Sequence, residues 1–419
     1  MKRDILRRAL LGALLLIVPL LFLTGRTTSS FDKSVIKPYG DPEAEAPELK
    51  AEGACLYSLD LDRSVYEKNG DKRIDPYSIT KILTCYLILE NGDLNKKVKI
   101  TKDKYLDYTD GSHMMAIKGE QFTVEELLKA TLLSSANDAA YFLAVNAAGS
   151  EKKFAELMNE QVKEWGCENT HFVNSNGWKN KNHYTTAHDM AIITARCFEN
   201  EAMRELSDIR EYKLAETKYS ERRDYVNFFW WAVEDNRNIL WGKTGSWDDD
   251  DCSIVLGFSE DNLNEVIVLL RDTMKKRSSD IEKLQDFSHK VTPGFAVAEK
   301  GDAVCSADVK GGAETETKLV FDKTVYAYPK SEKKSDIKVA LDVDELEAPL
   351  KKGQKAGTYT VIVNEKELEK GTLLAAEDIK KGWFLSRFYI SDKETIILAV
   401  WALFIIVLEL LLTRAASRR

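Results

Sequence analysis

The sequence has few of the residues from which metal sites and disulfide frameworks are built. Its 419 residues include six cysteines and five histidines. The CxxC and HExxH spacings, which are typical of zinc sites, do not occur among them. Aspartate and glutamate total 68 against 60 lysines and arginines, a net charge of -8, so no basic excess indicates binding to nucleic acid. We expect no metal, no cofactor and no nucleic-acid partner.

Glycine and proline are also scarce, at 22 and 8 residues, whereas 44% of the chain is hydrophobic. This composition excludes a disordered chain, a collagen-like fibre and a small disulfide scaffold. At about 150 residues per domain, the length predicts two or three folded units.

The N-terminal segment has the pattern of a secretory signal. Four basic residues lie within positions 2–8, and the uncharged stretch 9–23 follows. A basic region before an apolar region of this length is typical of export. Residues 1–30 are therefore predicted to be a signal peptide or, since the cleavage pattern is poor, an uncleaved signal-anchor.

The C-terminal segment predicts a transmembrane helix. Residues 395–413 (TIILAVWALFIIVLELLLT) come close to the roughly 20 apolar residues that cross a bilayer. Arg414, Arg418 and Arg419 follow, and positive flanks stay cytoplasmic. We expect segment 386–419 to be a juxtamembrane stretch, a membrane helix and a basic cytoplasmic tip, with the rest of the chain on the extracytoplasmic face of a bacterial cell membrane.

Between the two ends, the pattern changes twice. Residues 31–50 are polar, contain three prolines and are predicted to be a linker. Residues 51–292 begin with short strands, continue with capped helices and return to strands, which indicates an α+β domain with a mainly antiparallel sheet. Residues 293–385 consist of short β-like runs and predict a small β-rich domain.

The first motif that could carry chemistry is the SxxK tetrad from Ser78 to Lys81, placed before an apolar helical run. Residues three apart share a helix face, so the lysine can lie beside the serine. A desolvated neutral lysine can take the proton of a serine hydroxyl and activate it as a nucleophile. Taken alone the motif is weak, because the same spacing recurs at Ser150 and Ser331.

The second motif, Ser135-Ala136-Asn137, is the only SxN in the sequence and lies between two predicted helices. Its hydroxyl could relay a proton, and its amide could hold a substrate backbone or the lysine. The alternative is a helix cap formed by Asn137 or Asp138.

The third motif, Lys243-Thr244-Gly245, also occurs once and leads into a predicted strand. A lysine and a threonine hydroxyl on one strand can hold a carboxylate, while glycine permits a close approach to the backbone. The alternative is an ordinary turn before an edge strand.

SxxK, SxN and KTG in this order are the signature of active-site serine penicillin-recognising enzymes. The surrounding sequence resembles the low-molecular-mass penicillin-binding proteins, which are serine D-alanyl-D-alanine carboxypeptidases, and the resemblance covers about residues 45–385. It is carried by VYEKNGDKRIDPYSITKILT, GEQFTVEELLKATLLSSANDAAYFLA, NHYTTAHDMA and, in the C-terminal domain, EAPLKKGQKAGTYTV.

The resemblance implies a penicillin-recognising, transpeptidase/β-lactamase-like fold and assigns roles to the motif residues. Ser78 would be the acylated nucleophile, with Lys81 as its general base. Ser135 would relay the proton together with Lys81, and Asn137 would position the substrate. The substrate would be a peptidoglycan stem peptide that ends in D-Ala-D-Ala, and β-lactams would be inhibitors.

By the same resemblance, Lys243 and Thr244 would bind the terminal carboxylate, with Gly245 and Ser246 also in the substrate site. The backbone N–H groups of Ser78 and Ser246 would form the oxyanion hole, a stabilisation worth several kcal/mol in related serine enzymes.

The role of two further runs is open, and the first of them departs from the family pattern. The four aspartates at 248–251 could favour a cationic substrate group, bind a metal or form a solvated turn. The aromatic run 228–231 could line the substrate groove or pack in the core. Two other functions stay open, a DD-endopeptidase that cuts cross-links and a catalytically weak peptidoglycan-binding scaffold.

Overall fold

The computed structural model describes residues 29–233 and 238–417. The described chain divides into a larger unit, residues 39–293, and a smaller unit that joins the N-terminal residues up to Pro38 with those from Gly294 onwards. Most of the predicted signal segment and the two terminal arginines of the basic tip lie outside the described residues.

The predicted linker contains ordered structure at its start. A 3-10 turn at Lys33–Val35 precedes strand β1, Lys37–Tyr39. The ring of Phe31 lies 6.1 Å from that of Phe321, and Ile36 is buried in the core of the smaller unit. Residues 31–36 therefore pack as part of that unit. The domain boundaries proposed from the sequence, at residues 50, 292 and 385, stay predictions.

The larger unit is built on a five-stranded antiparallel sheet with the strand order β3-β2-β10-β9-β8. Its strands are β2 (Gly53–Ser58), β3 (Arg63–Lys68), β8 (Ile239–Asp248), β9 (Asp251–Glu260) and β10 (Leu263–Asp272), with the short pairs β4 (Lys97–Lys99) and β5 (Gln121–Thr123), and β6 (Glu211–Leu214) and β7 (Arg223–Val226), outside it.

Helices cover both faces of this sheet. They are α1 (Lys81–Asn91), α2 (Val124–Leu132), α3 (Asn137–Ala148), α4 (Glu151–Glu164), α5 (Ala187–Glu199), α6 (Glu201–Asp208), α7 (Phe228–Ala232) and α8 (Met274–Val291). Successive strand residues point to opposite faces, so Cys55 joins the core of the helical region while Leu56 packs with α8 residues such as Leu284. The site described below lies at the edge strand β8.

Local sequence signals place the helix ends. Thr123 and Glu126 form the predicted capping box of α2, Ser150 and Thr186 cap α4 and α5, and Gly149 ends α3 in the left-handed conformation that favours glycine.

The smaller unit is β-rich, as the sequence indicates. Six strands form a sheet with the order β15-β17-β18-β13-β12-β16. The strands of this unit are β11 (Gly294–Ala298), β12 (Ala303–Lys310), β13 (Glu316–Phe321), β14 (Val325–Ala327), β15 (Ile337–Val343), β16 (Leu346–Glu347), β17 (Lys355–Val363) and β18 (Lys366–Ala375). The predicted α+β class with a β-rich second domain is confirmed.

A long helix, α9 (Asp392–Ser417), ends the described chain. Its part Asp392–Leu411 is, by length and composition, apolar enough to cross a membrane, and only 6% of it is buried. In water this apolar surface would be exposed, which is the pattern expected of a segment that lies in lipid.

The buried carboxyl of Glu265 predicts a pH-dependent stability. The hydroxyls of Ser288 and Thr292 donate hydrogen bonds to it, and burial raises its pKa to about 7. The unfolded chain releases this proton near pH 4.3, so the free energy of unfolding should fall as the pH rises from about 4.5 to 7, by on the order of 3 kcal/mol.

Glu265→Gln should remove most of this fall, as measured by urea unfolding at pH 5 and pH 8. Glu282→Gln, at an exposed position on α8, is the matched control and should keep the wild-type slope. An unchanged slope in Glu265→Gln would contradict the assignment.

Candidate active site

The nucleophile candidate lies on a turn at the start of a helix. Ser78 is part of the 3-10 turn Tyr77–Thr80, which leads directly into α1. The free N–H groups at such a helix start favour negative charge. The turn therefore presents a hydroxyl where an anion that develops on a substrate would be stabilised.

Lys81, on the first turn of α1, is fully buried and contacts three oxygens. Its Nζ lies 2.8 Å from Ser78 Oγ. It donates hydrogen bonds to Oδ1 of Asn137 at 2.7 Å and to the backbone carbonyl of Asn176 at 2.7 Å. The amine is thus held against the hydroxyl by two fixed acceptors from separate segments.

The two lysines of the motifs share one buried region. Burial, with a further contribution from the charge of Lys243, holds the pKa of Lys81 well below its usual range. Burial alone lowers the pKa of Lys243 to about 7. Desolvation penalises the charged form of an amine, so Lys81 is suited to act as a base near neutral pH.

The SxN motif forms the break between α2 and α3. Ser135 has a φ of +60°, a conformation rare for a residue other than glycine, and its Oγ accepts a hydrogen bond from Lys243 Nζ at 3.0 Å. Asn137 is the first residue of α3, whose N-terminus has no side-chain cap. The capping alternative is therefore wrong, because the Asn137 amide is directed to Lys81.

The KTG motif lies within β8, the edge strand of the sheet, and not in a turn before it. Lys243 also donates to the backbone carbonyl of Thr244 at 2.8 Å. A Cβ on Gly245 would lie 2.9 Å from the backbone N of Ser78 and 3.0 Å from the carbonyl O of Pro76. Glycine at this position lets the edge strand approach the turn that carries Ser78.

All eight predicted site residues, seven from the motifs and Ser246 from the family resemblance, are brought together. A cleft of about 650 Å³ contains six of them, while Lys81 and Lys243 lie buried and contact the serines beneath it. The cleft is lined by Tyr77, Ser78, Asp110, Gly111, Ser112, Ser135, Asn137, Asn176, Gly177, Trp178, Phe228, Thr244, Gly245, Ser246 and Trp247.

Two features of the 174–178 segment were missed by sequence reasoning. The Asn176 carbonyl holds Lys81, and a Cβ on Gly177, which has a φ of +82°, would lie 1.8 Å from the Tyr77 carbonyl oxygen. The Asn-Gly pair signals a turn, but a backbone carbonyl leaves no trace in residue type.

His183 is a further buried residue behind the turn that the sequence did not single out. Its Nδ1 accepts a hydrogen bond from the Val173 N–H at 3.1 Å, so its Nε2–H donates to Thr80 Oγ1, 3.0 Å away. Burial lowers the pKa of His183 to about 3, and the ring is therefore a neutral, fixed support for the SxxK turn.

Tyr77, which precedes Ser78, connects the aspartate run to the site. It has a φ of +53°, and its hydroxyl donates to Asp251 at 2.5 Å. The guanidinium of Arg271 lies 3.7 Å from the same carboxylate and 3.5 Å from Asp75. Within residues 29–233 and 238–417, no group of three or more His, Cys, Asp or Glu side chains is arranged to hold a metal ion.

The aromatic run 228–231 serves both uses considered from the sequence. Phe228 lines the cleft, whereas Phe229 is buried beneath β8, where a Cβ on Gly242 would lie 2.3 Å from its ring. Trp231 is 76% exposed.

Comparison with protein families gives two matches. Residues 41–273 match the family described as D-alanyl-D-alanine carboxypeptidase. Residues 295–381 match the family described as penicillin-binding protein 5, C-terminal domain.

Individual relatives agree with these matches. The chain is 28% identical over 349 residues to D-alanyl-D-alanine carboxypeptidase DacF of Bacillus subtilis, covering 80% of this chain and 88% of the relative. It is 29% identical over 353 residues to DacA of Escherichia coli, covering 81% and 86%.

Solved structures show the same fold. Penicillin-binding protein 5 from Haemophilus influenzae aligns with a TM-score of 0.55 at 24% identity, covering 81% of this chain and all of that chain. The Streptomyces K15 DD-transpeptidase aligns with a TM-score of 0.52 at 25% identity, covering 58% of this chain and 98% of that chain.

Tyr77→Phe tests whether the contact with Asp251 positions Ser78. A hydrogen bond to a charged group contributes about 1.5–3 kcal/mol. Losing it should relax the strained turn and slow the acylation of Ser78 by a fluorescent penicillin roughly tenfold.

Tyr359→Phe is the matched control, because it removes a Tyr–Asp contact, 3.1 Å from Asp322, in the smaller unit. It should leave the acylation rate unchanged. Equal rates in wild type and Tyr77→Phe would show that the contact has no positioning role.

Proposed function

The chain belongs to the D-alanyl-D-alanine carboxypeptidase family, and from this premise we propose which of its residues carry the reaction. It is a serine hydrolase that removes the terminal D-alanine from D-Ala-D-Ala stems of peptidoglycan. The observation that carries our assignment is the 2.8 Å separation between Lys81 Nζ and Ser78 Oγ at the floor of the cleft.

Lys81 acts as the general base in its neutral form. A neutral amine has two N–H donors and one lone pair, and the two acceptors Asn137 Oδ1 and Asn176 carbonyl engage both donors. The lone pair is then left for the Ser78 hydroxyl. The low pKa that burial imposes on Lys81 supports this form.

In the acylation step, Ser78 Oγ attacks the carbonyl carbon of the penultimate D-alanine while its proton moves to Lys81. The tetrahedral oxyanion is stabilised by the backbone N–H groups of Ser78 and Ser246, a type of interaction worth about 3–4 kcal/mol per donor elsewhere. Collapse breaks the peptide bond, and the leaving nitrogen takes a proton from Lys81 through the Ser135 hydroxyl.

Deacylation runs the same chemistry with water. Lys81, neutral again, takes a proton from the water as its oxygen attacks the acyl carbon, and Ser78 leaves with a proton returned from Lys81. The products are the shortened stem peptide and free enzyme.

Lys243 and Thr244 hold the terminal carboxylate of the substrate. Lys243 is buried beneath Ser135, so its ammonium would meet the carboxylate in a poorly solvated region, where charge-assisted hydrogen bonds are strong. The specificity for a free C-terminus follows from this contact.

We extend the proposal to inhibitors and location. β-Lactams acylate Ser78 by the same attack on a carbonyl carbon. Helix α9 anchors the chain in the cell membrane, with the cleft on the extracytoplasmic face where peptidoglycan is found.

Replacing the nucleophile tests the assignment directly. Ser78→Ala should abolish both D-alanine release from a purified pentapeptide and covalent labelling by penicillin, because it removes the attacking oxygen held against Lys81. Ser331→Ala, in another SxxK spacing on the smaller unit, is the matched control and should behave as wild type.

Mass analysis of the products from pentapeptide and from cross-linked muropeptide dimers separates the two peptidase activities. Loss of one alanine is the expected result, and conversion of dimers to monomers would indicate an endopeptidase. Retained labelling in Ser78→Ala would refute the nucleophile.

The charge of Lys243 predicts the alkaline limb of the pH profile. With a pKa of about 7, this lysine is cationic below neutral pH and loses its charge above it. Since kcat/KM reports the free enzyme, kcat/KM for the D-Ala-D-Ala peptide should fall as the pH rises above about 7.

A neutral ester that acylates Ser78 but has no terminal carboxylate is the control substrate and should lack this limb. A kcat/KM for the peptide that keeps rising up to pH 9 would contradict the role of Lys243.

A further inference from the structure

Three large aromatic rings are exposed beside the start of α9, and we call them the aromatic turn: Trp383, Phe384 and Phe388. They lie on, and directly before, the 3-10 turn Phe384–Phe388 of the smaller unit. Their exposed fractions are 58%, 71% and 61%, and the two phenyl rings meet edge to face with centroids 5.9 Å apart. A cluster of exposed rings marks a surface that another molecule or a membrane covers.

The backbone beneath these rings is fixed to the β-rich sheet. Ser386, in the middle of the turn, is buried, and its carbonyl accepts a hydrogen bond from the Gly311 N–H at 3.0 Å. The Gly382 N–H donates to the Gly311 carbonyl at 2.8 Å. The rings are therefore presented by an ordered part of the smaller unit and not by a loose tail.

The same backbone is joined to the first turn of α9. The Trp383 N–H donates to Oδ1 of Asp392 at 2.7 Å, and the Asp392 N–H donates to the Ala313 carbonyl at 2.9 Å. Ser391 and Glu394 cap this helix start, because each side chain accepts a hydrogen bond from the backbone N–H of the other. The helix therefore leaves the smaller unit from a fixed point beside the rings.

The length of α9 sets the depth of the rings. Its apolar part Asp392–Leu411 has 20 residues, which at 1.5 Å per residue is about 30 Å, the thickness of the hydrocarbon core of a bilayer. The charged residues Asp392, Lys393 and Glu394 at its start then lie at the level of the lipid headgroups. The aromatic turn, bonded to Asp392 through Trp383, lies at that level too.

The charges around the rings fit a lipid surface. Residues 379–391 contain three basic side chains, Lys380, Lys381 and Arg387, and no acidic one, and all three are exposed. The nearby carboxylates of Asp392 and Glu394 already accept backbone hydrogen bonds. Aromatic rings concentrate at membrane interfaces, and basic side chains beside them are attracted to anionic headgroups.

We propose that the aromatic turn inserts into the outer interface of the membrane that α9 crosses, so that the smaller unit rests on the lipid surface. The inference rests on the membrane location in the proposed function and adds a second contact with lipid to that of α9. The rings lie among the headgroups and the upper acyl chains, and Lys380, Lys381 and Arg387 contact the lipid phosphates.

The test measures depth in a bilayer of phosphatidylethanolamine and phosphatidylglycerol that holds the full-length protein. A nitroxide is attached to one introduced cysteine at a time; the six native cysteines are buried, and the unsubstituted protein gives their background. Power saturation compares collisions with oxygen, which concentrates in lipid, and with a water-soluble nickel complex. The label at Phe384→Cys should meet oxygen and be protected from nickel, whereas Glu365→Cys, at an exposed position of the same unit, should be open to nickel.

Removal of the remaining rings tests whether they cause the protection. Trp383→Ser combined with Phe388→Ser keeps the backbone bonds, and the label at Phe384→Cys should then lose its protection from nickel. Trp231→Ser removes a ring of the larger unit that is 76% exposed; it is the matched control and should leave the protection unchanged. Labelling by penicillin, unchanged in each variant, reports that the chain is folded.

A label at Phe404→Cys, within α9, separates the two ways of failing. If that label lies in lipid while the label at Phe384→Cys is as open to nickel as the one at Glu365→Cys, the aromatic turn is overturned and the anchor stands. Protection at Phe384→Cys from both nickel and oxygen would indicate a protein contact and would also overturn it. A label at Phe404→Cys that is open to nickel would instead count against the proposed membrane location.

Discussion

The site depends on one physical constraint, the burial of the Lys81 amine with only polar partners that are fixed by the fold. A charged amine in this position would lose its hydration, so the protein holds Nζ between Oδ1 of Asn137 and the carbonyl of Asn176 and leaves Ser78 as the remaining neighbour. These partners come from the start of α1, the start of α3 and the 174–178 segment. Lys81 is therefore held against Ser78 only when three segments distant in sequence are packed together.

The same packing maintains strained backbone conformations beside Ser78 and Lys243. Tyr77 and Ser135 both have positive φ angles, and each such residue costs of order 1–3 kcal/mol. Gly177 and Gly245 allow neighbouring backbone to approach the same turn. Packing in the core around α1, α2 and α3 offsets this unfavourable energy; the buried side chains there include Ile82, Leu127 and Leu143.

Much of this arrangement could be predicted from the sequence, because local signals and motif order carry it. The capping box at Thr123 and the strand–helix–strand order led to the fold class, and the three motifs with the family resemblance led to the eight site residues. What could not be predicted depends on backbone atoms or on distant contacts. The contacts of the Asn176 carbonyl with Lys81 and of Tyr77 with Asp251 are not properties of residue type. The contact between the Ser135 hydroxyl and Lys243 was also not predicted, since it joins two motifs 108 residues apart in the chain.

The central claim is that Lys81 is a neutral base in the free enzyme, and the most direct measurement is its own titration. The full-length protein, labelled with 13C at lysine Cε and solubilised in detergent, gives a Cε resonance for Lys81 that is assigned by its loss in Lys81→Arg. We expect a titration midpoint well below the ordinary lysine pKa of about 10.4, so that a neutral amine is present near pH 7. A midpoint at or above the ordinary value would contradict the account, since Ser78 would then have no base beside it.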